Sequence, residues 1–346
     1  MTDETDQATK HIISARTGRP ISSSRRRFLA NTGMFSAGLV GSSLLAACSD
    51  DHDGVAIGQE DDAVVIDGPG DQAVLNFALN LEYLEAEFYL RAVTGMGLGD
   101  DSIDGNGTPG DVVGGRQVDF SGEPLIGRYA AEIAADERDH VQFLRGALGG
   151  GAVARPRINF TDAFNAAGMA ALGIEFDPFA NPLNFLIGAF IFEDVGVSAY
   201  KGGAQFIRNR DFLTAAAGLL GVEAYHAGLV RTVLTARMDE TVAGNVTVED
   251  VINMISGARD SLDGDDDIDQ GISTTTVSLN GNDYNATNIV PTDGNGLAFS
   301  RTPQQVHNIV YLTPEEAGMG GFFPNGTNGT LTRSGDQLGT VDSSDD

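Results

Sequence analysis

Two short motifs, Glu137-x-x-His140 and Glu223-x-x-His226, each place a carboxylate and an imidazole three residues apart. On a helix that spacing aims both groups to one side. The pairing of carboxylate with imidazole suits iron or manganese better than the softer metals that seek thiolates. One copy of such a motif is weak evidence, because charged pairs are common on helix surfaces. Its surroundings say more. Ile133 and Leu219 stand four residues before each glutamate, and Leu144 and Val230 four residues after each histidine, so both motifs interrupt an apolar stripe. Ionisable groups in such a stripe need an ion partner, a proton or a metal, since an unpaired buried carboxylate costs several kcal/mol.

Two further segments repeat one another. Leu75, Leu79, Glu82, Ala86, Tyr89 and Val93 share their register with Leu186, Phe190, Glu193, Val197, Tyr200 and Ala204. Each copy precedes a segment bearing a Glu-x-x-His motif, as two halves related by a pseudo-two-fold axis would. One Glu from each of two helices plus a Glu-x-x-His from each of the other two is the ligand plan of dinuclear carboxylate bundles. Four carboxylates also balance two divalent cations. The expected metal ligands are therefore Glu82, Glu137, His140, Glu193, Glu223 and His226, and the expected cofactor is two Fe or Mn ions. Glu85, flanked by Leu81 and Phe88, competes with Glu82 for its place, and the repeat favours Glu82. Tyr89 and Tyr200 are either core aromatics or candidate catalytic residues that hydrogen-bond the ligand glutamates. Glu132, Asp136, Asp139 and Asp194 are expected to be solvated or to stand behind the ligands, with Asp139 facing outward.

Four elements must position these groups. Apolar residues recur at helical spacing over 72–94, 124–148, 182–208 and 211–237, which predicts four long helices. Asn181-Pro182 reads as an N-cap followed by proline at the first helical position, and Gly149-Gly150-Gly151 as a stop. The Gly- and Asp-rich stretch 95–122 reads as loop. The connection 149–180, with a helical patch over 162–172, suits a crossover running the length of a bundle. Beyond Met238 helices are predicted at 248–258, capped by Thr247, and at 303–312, where Thr302 and Gln305 form a capping-box pattern. The rest of 238–346, including Gly320-Gly321-Phe322-Phe323-Pro324, reads as an irregular extension that packs its aromatics on the bundle. The fold class is all-α with a mixed, partly irregular C-terminal part.

The first 71 residues read differently. Ser24-Arg25-Arg26-Arg27-Phe28-Leu29, a weakly apolar run over 30–47 and the closing Leu45-Ala46-Ala47-Cys48 resemble a twin-arginine export signal ended by a lipobox. That resemblance implies an export signal over 1–47 with Arg25 and Arg26 as its paired arginines. It further implies lipidation at Cys48, a membrane anchor through that lipid, a solvated tether over 48–71, and a periplasmic or envelope-anchored location. Cys48 is the single cysteine, so the sequence offers no intramolecular disulfide and no thiolate metal site. The formal charge of −28, from 21 Lys and Arg against 49 Asp and Glu, argues against nucleic acid and anionic membrane surfaces as partners of the folded part.

The set Glu82, Glu137-x-x-His140, Glu193 and Glu223-x-x-His226 resembles the ferritin-like superfamily over residues 72–237. Together with Arg301-Thr302-Pro303 and Gly320-Gly321-Phe322-Phe323-Pro324, it resembles the desiccation-related, ferritin-like-domain proteins. The resemblance implies a ferritin-like four-helix bundle with a long crossover between helices two and three. It also implies a redox site that takes a small oxidant, dioxygen or peroxide, or oxidises Fe(II). The alternative is a desiccation or stress protein of the cell envelope whose metal pair is structural. A homo-oligomer is left open, though about a hundred residues beyond the bundle argue against a storage cage. Other signals are set aside. The acidic run Asp263–Asp269 lacks the glycine and glutamate of a calcium loop. The glycines of 95–110 do not follow a strand. His307 has no Glu-x-x-His partner and reads as a surface or packing histidine, and His52 sits in the tether.

Overall fold

The computed structural model describes residues 70–335. The expected export signal, with Arg25, Arg26 and Cys48, lies outside them. Four long helices dominate: α1 (Asp71–Thr94), α2 (Pro124–Leu148), α4 (Pro182–Ala204) and α5 (Arg210–Ala236). Helix α1 packs along α2, α4 along α5, and α1 also meets α4. The crossover between α2 and α4 carries helix α3 (Phe160–Leu172), together with strand β2 (Ile158–Asn159), which pairs in parallel with β1 (Val112–Val113) of the first loop. After the bundle come the short hairpin β3 (Thr241–Ala243) and β4 (Val246–Thr247), then α6 (Val248–Asp260), the hairpin β5 (Thr274–Leu279) and β6 (Asn282–Thr287), and α7 (Pro303–Tyr311).

The helix ends follow local chemistry. The Asn181 side chain accepts a hydrogen bond from the Asn184 N–H at 2.9 Å, with Pro182 at the first helical position. Capping boxes start α6 at Thr247 with Asp250 and α7 at Thr302 with Gln305. Helix α4 stops at Ala204, four residues short of the apolar periodicity. Residues 205–209 instead form a connection in which the Arg208 and Asn209 N–H groups bond the Asp71 carboxylate.

The bundle is not symmetric in its exposure. α2 and α5 bury one stripe, whereas α1 and α4 are buried on nearly every side. By length and composition α4 passes as a membrane span, yet 78% of its most apolar window is packed inside the protein. Its cover is the crossover and the C-terminal extension. Phe322 sits 5.0 Å from Phe164 and 5.1 Å from Phe192, ring centre to ring centre, so this aromatic segment packs against α3 and α4. His307 is buried against Phe77 and Tyr311. Its Nδ1–H donates to the Pro303 carbonyl at 2.7 Å, and burial lowers its pKa to about 4, so it packs as a neutral ring. Gly202 of α4 lets the extension pass: a Cβ there would lie 1.8 Å from the Arg301 carbonyl oxygen.

Candidate metal centre

Each bundle helix turns one part of the predicted donor set into the same buried space. Glu82 comes from α1, Glu137 and His140 from α2, Glu193 from α4, and Glu223 and His226 from α5. The four glutamates are 0–1% exposed, His140 7% and His226 5%, so solvent does not satisfy them. His140 Nδ1 lies 3.2 Å from Glu82 Oε2, 3.4 Å from Glu137 Oε2 and 3.7 Å from Glu223 Oε1. His226 Nδ1 lies 3.0 Å from Glu137 Oε1 and 3.7 Å from Glu193 Oε2. The two imidazoles face each other with centroids 6.3 Å apart.

These contacts resolve into two overlapping groups of donor atoms, each spanning no more than 4.8 Å. One holds Glu82, Glu137, His140 and Glu223, and the other Glu137, Glu193 and His226. Glu137 is common to both, with one oxygen turned to each histidine, the position of a bridging carboxylate. Both oxygens of Glu137, both of Glu223, Oε2 of Glu193 and Nδ1 of His226 are buried without a proper hydrogen bond. Orphaned polar atoms of this density are expensive in a protein interior. Two divalent cations would satisfy them, and four carboxylates would neutralise those cations, so the residues fit a dinuclear centre of hard, oxygen- and nitrogen-preferring metals.

Without cations the cluster redistributes protons. Burial raises Glu82 to about 7 and Glu193 to about 8, and lifts Glu223 well above the carboxylate range. Burial pushes Glu137 the same way, but the two histidines close beside its carboxylate prevail and hold it at about 2. Burial opposes charge on the histidines too, and the surrounding carboxylates overcome it, raising His140 to about 11 and His226 to about 9. Imidazolium groups thus stand where metal charge would otherwise sit.

The two tyrosines are buried donors. Tyr89 of α1 gives its O–H to Glu193 of α4, and Tyr200 of α4 gives its O–H to Glu82 of α1. Asp136 stands behind His226, with Oδ2 3.3 Å from Nε2, which orients the ring with Nδ1 toward the carboxylates. Glu132 and Asp139 face outward. Asp194 is buried and bonds Arg231 at 2.8 Å and Arg259 at 3.1 Å, directly behind Glu193.

That last pair belongs to a network that sequence reasoning missed. Arg259 also bonds Asp269, while Arg301 bonds Asp263, Asp269 and Ser198 of α4. The acidic run Asp263–Asp269 therefore supplies partners to buried arginines. The available signal was Arg301-Thr302-Pro303, an arginine directly before a helix cap in a chain poor in basic residues.

Comparison with known proteins agrees with this geometry. A family model described as the ferritin-like domain matches residues 70–236. The chain is 29% identical over 315 residues to the ferritin-like catalase Nec2 of Nesocodon mauritianus, spanning 88% of this chain and 98% of that protein. It is 31% identical over 245 residues to the desiccation-related protein PCC13-62 of Craterostigma plantagineum, spanning 68% of this chain and 75% of that one. No solved structure matches significantly.

Proposed function

Since the chain belongs to the ferritin-like domain family, we propose that its bundle holds two iron or manganese ions and uses them to disproportionate hydrogen peroxide. The observation that carries this reading is the paired donor set sharing Glu137, buried and short of hydrogen bonds. Two redox-active ions held side by side would supply and take back the two electrons exchanged when two peroxides become two waters and one dioxygen. The relative named a ferritin-like catalase, aligned over nearly its whole length, supports peroxide over dioxygen or Fe(II) as the small reactant.

The chain's own residues do the positioning. Glu137 would hold both ions. Glu82 with His140 and Glu193 with His226 complete the two ends, and Glu223 closes the side nearest His140. The crossed tyrosine bonds fix Glu82 and Glu193 against rotation. Near-complete burial keeps bulk water out, so charge within the site is weakly screened.

Desiccation or stress protection with a structural metal pair is the second reading, favoured by the similarity to PCC13-62. Elemental analysis of the purified protein together with oxygen-electrode assays separates the two. About two Fe or Mn per chain, dioxygen released at half the peroxide consumed, and loss of both in a Glu137→Ala, His140→Ala variant would establish the catalase reading. Two ions without turnover would leave only the structural one. We also infer export by the twin-arginine route and lipid anchoring at Cys48, which a Cys48→Ala change should release from the membrane fraction.

A further inference from the structure

A cleft of about 390 Å³ opens where α3, α4, α6 and α7 meet, and among the described residues that line it none is a metal donor. Its walls are apolar, with Ala167 and Ala171 from α3, Ile187 from α4, Ile255 from α6 and Ile309 from α7. An apolar cavity of roughly 150 Å³ stays dry and takes up a guest the size of benzene. This larger space admits a guest of about two fused rings, or a chain of similar bulk. Met254 lines the cleft and is 42% exposed, so the space is reached from solvent.

One buried donor on the walls is unspent. Ser261 gives its hydroxyl to the Ala258 carbonyl at 2.7 Å. Arg259, 3% exposed, is the one charged side chain among the described residues of the lining. Its Nη1 donates to the Phe190 carbonyl at 2.8 Å, and its Nη2 to Asp269 at 2.7 Å and Asp194 at 3.1 Å. Its Nε–H is equally buried and has no partner among the described residues. A buried donor without an acceptor is costly, and a guest that brings the acceptor relieves that cost.

The charge around the donor narrows the class of guest. Arg231, Arg259 and Arg301 are already paired with Asp194, Asp263 and Asp269, one acid for each base. A carboxylate or phosphate would add an uncompensated charge to that balanced interior. A neutral carbonyl accepts from the N–H and brings neither charge nor a new donor.

We propose that this cleft binds a neutral apolar carbonyl compound, a ketone or ester of about two-ring size, whose oxygen accepts from Arg259 Nε–H while its apolar body packs between α3 and α6. The site is separate from the dinuclear centre and does not depend on it.

The test is fluorescence titration of the full chain with Prodan, a neutral naphthyl ketone whose emission moves to the blue on leaving water. The chain has no tryptophan to interfere. The shift should saturate at one probe per chain. Naphthyl methyl ketone should displace Prodan at least tenfold better than naphthoate, which adds charge. It should also match or exceed ethylnaphthalene, which is more apolar but lacks the acceptor. Ala171→Phe should fill the cleft and weaken Prodan at least tenfold, with melting temperature and metal content unchanged. Arg259→Lys keeps the charge but has no Nε–H, so it should bind the hydrocarbon better than the ketone. Should Arg259→Lys not fold, the three competitors on wild type carry the same comparison. Emission that never saturates, or that Ala171→Phe leaves unchanged, would overturn the site. Displacement by the hydrocarbon or by naphthoate better than by the ketone would overturn the role of Arg259 and with it the proposed class of guest. Self-association seen by analytical ultracentrifugation and lost in Met254→Asp, with no Prodan bound by wild type, would assign this face to a second copy of the chain and overturn the proposal.

Discussion

Tyr89 and Tyr200 each leave their own half of the repeat to bond a glutamate in the other. Tyr89→Phe should therefore weaken the ion held by Glu193 and His226, although Tyr89 shares a helix with Glu82. A loss of about 10- to 100-fold in metal affinity is expected with the fold intact, measured by metal titration and circular dichroism. Tyr200→Phe should do the same at the Glu82 end. Protonation gives a second prediction. Burial raises Glu82 and Glu193 from 4.5 to about 7 and 8, so the folded metal-free state binds extra protons above 4.5 and loses that stability as pH rises through these values. His226, raised from 6.5 to about 9, contributes stability that is complete below 6.5 and lost through 9. Both signs agree, so the melting temperature of the metal-free protein should fall from about pH 6 to pH 9. Metal binding releases these protons, so apparent affinity should rise over the same interval. A metal-free melting temperature flat across that range would contradict the assignment. The six donors could be chosen in advance because the glutamates and histidines sat where an apolar stripe required leucine. The preference for Glu82 over Glu85 rested on register alone, and it is Glu82 that lies within the donor groups.

At the level of elements, periodicity located the long helices because their buried stripes repeat every three to four residues. It overran α4 at Ala204, where the chain stays apolar but the Asp71 carboxylate captures the backbone of 208 and 209. Local pattern also identified the caps of α4, α6 and α7, since each is closed within four residues. It did not identify the arginine network, whose partners are long-range: Arg301 meets Ser198 of α4 and Asp263 and Asp269 ahead of α7. The consequence is energetic. Arg301→Ala would leave buried Asp263 without its ion partner and take one of two arginines from Asp269, and removing one partner from such a network costs about 3–5 kcal/mol. Chemical denaturation should show that loss, while a surface change such as Arg138→Ala, whose partner Asp139 is exposed, should be close to neutral.

Across the whole molecule, the extension after the bundle completes the burial of α1 and α4. Phe322 fills the space between α3 and α4, and Arg259 and Arg301 tie the extension to Asp194 and Ser198 of α4. Asp194 follows Glu193 in sequence, so a change that loosens the extension also disturbs the backbone that presents a metal donor. The hairpin β5–β6 is the exception, with nearly every residue exposed and Val277 paired with Tyr284 on an open face.

The crossed tyrosine bonds carry an implication for symmetry. Each half of the bundle is a helical hairpin that supplies one Glu, one Tyr and one Glu-x-x-His, and whose tyrosine has no ligand glutamate to bond within its own half. Two copies of a single hairpin, related by a two-fold axis, would make the same crossed bonds and the same paired ligand groups. The site thus has the symmetry of a homodimer whose two subunits are joined by the crossover. Cleaving the exposed turn after α3 at Gly173 should yield fragments that bind metal when mixed and not when apart.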